Sequence, residues 1–323
     1  MTHGLAWREA ARRRLFGRRE RSAMQFVASD GPPASARWAS AVALFSATLM
    51  IAALFLHRVF SMPTPVALNA AGLAMVGGAV AIVLSVLASV RIWRRGGHGT
   101  ANVLVALLVA GGVIGWPLGL LATARGLPEI NDITTDANDP PAFVALAAER
   151  KRPANAAAYP GERFAALQAK AYPDLVAIKL NRAREEAFDI AVEAVRRQKM
   201  AIVREEAPAA SPPRPGAIEA VDRTLILGFY DDVAIRVEGD ERTSRIDIRS
   251  ASRYGRHDLG RNAERVRRLL REIVARLEAA PAGTVVGRGK KPMKPLPAKP
   301  GVKGEKGGSA KKPPRRTPPG RAQ

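Results

Sequence analysis

The sequence predicts a bundle of three transmembrane helices, followed by an α+β soluble domain of mainly antiparallel sheet covered by helices, and then a disordered C-terminal tail. Three observations carry this. The first 126 residues hold three long apolar stretches without a charged side chain. Period-2 alternation runs through consecutive segments after residue 200, with a clear 3.6-period helix behind them. Residues 281–323 are mostly Pro, Gly, Lys and Arg.

The apolar stretches cover 39–56, 66–90 and 101–124 within a membrane region of 38–126. A helix needs about 20 residues to cross a hydrocarbon core of about 30 Å, so each stretch is long enough to span. Span three has Gly111, Gly115 and Gly119 at four-residue spacing, and span two has Ala70, Ala74 and Gly78 likewise. Small residues so spaced let helix backbones approach closely, within one bundle or between copies. No ionisable residue lies inside a span, which argues against a transport pathway.

Loop charge sets the expected orientation. Residues 1–37 carry eight Arg against three acids, the first loop only Arg58, and the second loop Arg91, Arg94 and Arg95. This predicts a multi-pass protein of a bacterial inner membrane. Its N-terminus is then cytoplasmic, and its soluble domain and C-terminus periplasmic. Arg13-Arg14-Leu15-Phe16 has the look of a twin-arginine signal. Its apolar segment starts too far downstream, however, and no small-residue cleavage site follows.

The net charge of +22 first suggests a nucleic-acid partner. Its distribution argues otherwise. Residues 127–280 hold 26 basic and 25 acidic residues, and the excess sits on the flanks. No basic face with interleaved aromatics is visible, so nucleic acid is not expected. With no cysteine, disulfides, thiolate chemistry and Cys-based zinc sites are excluded.

The soluble domain, 127–280, begins with a helix expected at 162–172. A stronger one follows at 181–198, with Phe188, Ala191, Val192 and Val195 as its apolar stripe. Strands follow: a short one at 201–205, a long strand or bent pair at 218–229, then Val233/Ile235/Val237 and Ile246/Ile248 in alternation with polar residues. Such alternation reads as strands with one buried and one wet face. The last helix shows Val266, Leu269, Leu270, Ile273, Val274 and Leu277 on one face. Short turns between consecutive strands predict antiparallel pairing.

The blocks NDITTDANDPPAF (131–143), GFYDDVAIRV (228–237) and RIDIRSASRYGRHDLGRNAERVRRL (245–269), with the alternating run at 218–224, resemble the bacterial and plastid family called domain of unknown function 1499. The resemblance covers about 127–275. It implies this fold and, in similar members, N-terminal membrane helices. The family has no assigned activity, so it supplies no catalytic residue and no cofactor.

Two polar constellations stand out. Arg249, Ser250, Arg253, His257, Asp258 and Asn262 crowd a strand-to-helix junction. One reading is a capped, salt-bridged corner: Asp247 and Arg249 on a wet strand face, Gly255 and Gly260 permitting turns, Asp258 or Asn262 capping the last helix, and Arg265, Arg267 and Arg268 solvated or reaching the domain's acids. The other is an anion site for a phospholipid headgroup, using Arg249, Arg253 and His257. The acidic set, Asp132, Asp136 and Asp139 with Asp231 and Asp232, includes candidate ligands for a divalent cation: Asp132, Asp136, Asp231 and Asp232. Against it, no calcium-loop spacing appears, Asp231-Asp232 reads first as a hairpin turn, and the other Asp residues read as bonding their own backbone. No cofactor is predicted.

Signatures of known enzyme classes fail: no G-x-S-x-G, H-E-x-x-H, P-loop or G-x-G-x-x-G appears. His3, His57 and His98 fall at the N-terminus or in membrane loops, leaving only His257 in the domain. The leading expectation is a non-enzymatic module associated with the cell envelope, with the lipid bilayer and another envelope protein as partners. The competing one is a membrane-tethered hydrolase or lipid-modifying enzyme using clustered aspartates. Two readings of the tail stand. One is a polycation meeting anionic lipid or cell-wall polymer, and the other a solvated spacer.

Overall fold

The computed structural model describes residues 31–279. What the sequence implies for residues 1–30, most of the basic N-terminus, and for the tail from 280 on lies outside the described residues.

Three helices come first: α1 (Ala34–Phe60), α2 (Thr64–Arg95) and α3 (Thr100–Thr123). Each is at least 24 residues long, with mean hydropathy of 2.2 to 2.4. α1 and α2 outrun the expected spans at both ends, because Arg37, Arg91, Arg94 and Arg95 continue the helices into the polar flanks. The residues α1 buries are Ala36, Ala39, Ala43, Ser46, Met50, Ala53 and His57. That is a strict 3-4 repeat, the seam of a left-handed coiled coil. α3 answers with Val103, Ala106, Ala110 and Val113. Small residues therefore fill the inside. Phe45 and Ile51 are each 66% exposed and Leu108 is 76% exposed on the outside. Leaving such a side chain in water forfeits about 1.5–3 kcal/mol, whereas lipid removes that cost. The chain is a membrane protein by this construction.

The small-residue spacings divide. Ala74 and Gly78 lie inside, and a Cβ on Gly78 would meet Ile114 at 3.2 Å. Gly111, Gly115 and Gly119 face open space, so they do not pack within the chain.

The soluble domain has β1 (Asp132–Thr134), a 3-10 turn (Leu146–Glu149), α4 (Glu162–Ala171), β2 (Ile178–Leu180), α5 (Arg184–Arg197), β3 (Ala201–Glu206), β4 (Gly216–Arg223), β5 (Tyr230–Gly239), β6 (Ser244–Ser252) and α6 (Arg261–Ala279). The sheet is antiparallel throughout, in the order β1-β6-β5-β4-β3, with β2 pairing the other half of β6. β1 and β2 were not expected from the sequence; three residues are too few to show a period. The run 218–229 is one strand ending at Arg223, and residues 224–229 form the hairpin turn instead of Asp231-Asp232.

One face carries Ile218, Ala220, Val233, Ile235, Val237, Ile246 and Ile248, all buried under α5 and α6. Phe188 of α5 lies so close to Gly216 that a Cβ there would meet its ring at 2.6 Å. Val266, Leu269 and Ile273 of α6 are fully buried. Gln168 of α4 bonds both the amide and the carbonyl of Thr134 (3.0 and 2.6 Å), which closes the free edge of β1.

The opposite face is not wet. The segment 135–160 crosses it: Phe143 and Leu146 pack on Ala234 and Ala251, Phe143 also covers Arg249, and Asp247 is buried beside Thr135. The sheet is covered on both sides, and its outer cover is irregular chain that leaves no periodic signal.

The β4–β5 turn docks on the end of α1. Arg58 donates to the Leu225 carbonyl at 3.0 Å, and Arg223 donates to the His57 carbonyl. The His57 ring is fully buried, packs 5.7 Å from the Phe229 ring, and donates from Nδ1 to the Met62 carbonyl at 2.7 Å. His57 is thus a joint between bundle and domain and not an exposed loop residue.

Gly78→Leu is expected to lower the unfolding midpoint of the full chain in detergent, by overpacking worth about 1–3 kcal/mol. Gly115→Leu is expected to leave it unchanged or raised. Equal losses would refute the assigned seam.

Candidate functional site

The two faces of β5 and β6 carry two separate polar layers. Strand alternation fixes which residue enters which. Asp231 pairs in register with Ser252 and Asp232 with Ala251, so adjacent aspartates point to opposite sides.

On the outer face Arg249 is nearly fully buried. Its Nε and Nη2 bind Oδ1 and Oδ2 of Asp132 at 3.0 and 2.7 Å, and it also donates to the carbonyls of Pro141 and Ala157. The Phe143 ring lies 4.5 Å from the guanidinium. Asp232 accepts from Arg150 at 2.7 Å and from Arg253 at 2.8 Å. Glu219, from β4, accepts the backbone N–H of Val144, Ala145 and Leu146 at 2.9–3.0 Å and binds Arg204. That carboxylate starts the 3-10 turn and fixes the crossing segment to the sheet. Asp247 is held by Arg245 (3.0 Å) and Arg236 (3.3 Å).

On the helix face, Arg265 of α6 is 2% exposed. It binds Asp222 at 2.7 Å, Asp231 at 2.5 Å, Asn262 Oδ1 at 2.7 Å and Ser250 Oγ at 3.0 Å. Asp258 caps α6 by accepting the N–H of Gly260 and of Asn262. Burial pushes the Asp258 carboxyl up against those two bonds. Burial likewise pushes Asp132 up, against its bonds to Arg249.

The sequence candidates are therefore split by the sheet. Arg249 and Arg253 lie on the outer face; Ser250, Asp258 and Asn262 lie on the helix face. His257 Nδ1 accepts the Leu259 N–H at 2.8 Å, as a turn residue. Arg249 is not on a wet face, whereas Arg265 reaches two of the domain's acids, Asp222 and Asp231. Of the capping candidates, Asp258 caps the helix, whereas Asn262 is spent on Arg265, Ser250 and Ser252. Arg267 does reach an acid, Asp174, at 2.6 Å. The four aspartates offered for a metal do not gather: Asp132, Asp136 and Asp232 are separately paired on the outer face, and Asp231 is on the other side. Among the described residues, no three His, Cys, Asp or Glu side chains could hold an ion together.

Beside the Arg249–Asp132 pair opens a recess of about 360 Å³, lined by Asp132, Arg150, Asn155, Tyr159 and Phe164 among others. The Tyr159 hydroxyl has no hydrogen-bond partner there. Burial, and then the Asp132 charge, pushes its pKa up to about 12.

Residues 132–273 match the family described as Protein of unknown function (DUF1499). The soluble domain belongs to that family. The match starts at β1 and ends within α6, so it takes in both polar layers and leaves out the membrane helices. No curated protein and no solved structure matches the chain.

Arg150, Glu219 and Tyr159 of this DUF1499 domain escaped sequence reasoning. Glu219 carried one signal: a carboxylate at an outer-face position between Ile218 and Ala220. Arg150 and Tyr159 sit in irregular chain and carried none.

Asp136 gives a pH handle. Burial opposes its ionisation, but bonds from the Asp139 and Asn138 backbone, with Arg245 and Arg236 nearby, hold the carboxyl below its ordinary value of 3.8. A depressed folded pKa stabilises above the unfolded value and is lost as pH falls through the folded one. Wild type is therefore expected to out-melt Asp136→Asn at pH 6, with the gap closing as pH drops below 3.8. A gap that persists unchanged to pH 3 would refute this role for the charge.

Proposed function

We propose that this chain is a membrane-anchored protein of the cell envelope, and that its domain works as a binding or interaction module and not as a hydrolase. The observation that carries this is the saturation of the clustered aspartates. Asp132, Asp231 and Asp232 are buried, and each is bound at 2.5–2.8 Å by a guanidinium group. A general acid or nucleophile needs a free oxygen aimed at substrate. Here both oxygens of Asp132 and of Asp232, and Oδ2 of Asp231, are spent on arginines that tie together strands, crossing segment and α6. The rigid frame supports a surface that presents side chains to a partner.

A bacterial inner membrane, with the N-terminus cytoplasmic and the domain and tail periplasmic, is the orientation that the Arg-rich N-terminus and second loop favour. The domain lies at the same end of the bundle as the Arg-poor first loop. In that setting the partners are the bilayer itself, another envelope protein and, through the basic tail, anionic lipid or cell-wall polymer. No cofactor is invoked.

Asp232→Asn tests the saturation argument. Breaking one partner of a buried ion pair costs about 3–5 kcal/mol, so the full chain in detergent is expected to unfold at clearly lower temperature. An unshifted midpoint, together with loss of an ester- or phosphoester-hydrolysing activity present in wild type, would overturn the reading in favour of a catalytic acid.

A phosphatase reporter that works only outside the cytoplasm, fused after Gln323, is expected to be active. An inactive fusion on an intact chain would reverse the orientation.

A further inference from the structure

Between α6 and the β4–β5 hairpin runs an open groove of about 670 Å³. Its lining holds five arginines, Arg223, Arg261, Arg265, Arg268 and Arg271, against three carboxylates. Three of the five are committed. Arg265 is neutralised by Asp222 and Asp231, Arg271 pairs with Glu264 at 2.9 Å, and Arg223 is bound to the Gly228 and His57 carbonyls. The side chains of Arg261 and Arg268 are exposed and have no partner among the described residues. They are seven residues apart on α6, two turns along one face, so both guanidinium groups address the same space.

The position of the groove supplies the second observation. Two lining residues are also its fastening to the membrane helices. Arg223 bonds the His57 carbonyl, and the Leu225 carbonyl accepts from Arg58, both in the last turn of α1. The groove therefore opens at the level where α1 leaves the hydrocarbon. Next to it, Leu225 is 80% exposed and Ile226 is 68% exposed at the hairpin tip. Paired large apolar side chains at a turn beside a helix end are costly in water and at home in the interfacial zone of a bilayer. Free guanidinium groups beside them match a phosphate, which they bind in bidentate fashion.

We propose that this groove holds the phosphate of an anionic membrane lipid, with Arg261 and Arg268 as its ligands and Leu225 and Ile226 set among its acyl chains. This rests on reading the domain as a binding module at the membrane face, and it places the ligand away from the Arg249–Arg253 corner, where the guanidinium groups are already spent.

The test is native mass spectrometry of the full chain in non-ionic detergent, titrated with phosphatidylglycerol. Wild type is expected to bind one lipid tightly. Arg261→Gln/Arg268→Gln is expected to weaken it about tenfold per arginine. Arg94→Gln/Arg95→Gln, the same charge loss at the far end of α2, is expected to change it by less than about threefold. The tail is present in all three, so its own attraction cancels. Equal affinity in wild type and the α6 variant, equal losses in the two variants, or equal binding of phosphatidylcholine with the same acyl chains would each overturn the proposal. Equal binding of glycerol 3-phosphate would assign the arginines to a soluble phosphate ester and overturn the lipid assignment. If the lipid test fails while Asp232→Asn still lowers the midpoint, the site is lost and the binding-module reading stands.

Discussion

The guanidinium of Arg249 is closed off from water between a sheet and the chain that crosses it, and the outer half of the domain is arranged around that fact. An ion removed from water costs several kcal/mol unless its bonds are replaced. Asp132 replaces two of them, the Pro141 and Ala157 carbonyls replace two more, and the Phe143 ring covers a face. Each of these groups lies on a stretch with no regular structure beyond three residues of strand. The crossing segment packs Phe143 and Leu146 on Ala234 and Ala251, and polar bonds add to that hold. Arg249, Glu219 and Asp232 fasten it at three places, and in return it keeps water off them. The neighbouring ion pairs follow the same rule: each strand that places a charge on this face finds an opposite charge on the next strand or on the cover.

This arrangement decides what could be read in advance. The three spans, the α5 and α6 helices and the antiparallel β3–β6 sheet were legible, because each repeats a period over enough residues to show it. Val233, Ile235 and Val237 announce a strand through their spacing alone. The second cover was not legible. Arg245, Asp247 and Arg249 alternate with isoleucines in the manner of residues facing water, and their composition is the same whether a cover exists or not. The difference lies in Phe143 and Leu146, a hundred residues away, in chain with no period. The paired aspartates misled for a related reason. Two adjacent acids look like a turn, and only knowledge that both faces of the strand are lined by arginines makes them strand residues. The α1 seam of Ala and Ser every third and fourth residue was present in the sequence, but the glycine spacing of α3 drew attention to positions that face outward.

The two polar layers also explain how one short helix–strand corner serves both sides of the sheet. Ser250 and Asn262 lock α6 to β6 through Arg265, while Arg249, one residue further back, belongs wholly to the other layer. A candidate site drawn by sequence proximity mixes the two. Sorting by strand parity separates a frame from a surface, and leaves the uncommitted cations on α6 as the part of the corner free to meet something else.

The joint at His57 has a consequence for how the domain meets the world. A globule hung from a membrane helix by a single peptide link swings like a bead on a string and samples partners from a hemisphere of directions. This one follows α3 after only a few residues, at Asp132, and is clasped a second time where Arg58 and Arg223 bind across to the hairpin and to α1. A second point of attachment restricts that swing, so the domain is biased to meet other molecules with one bearing relative to the bundle and to offer each of them the same side.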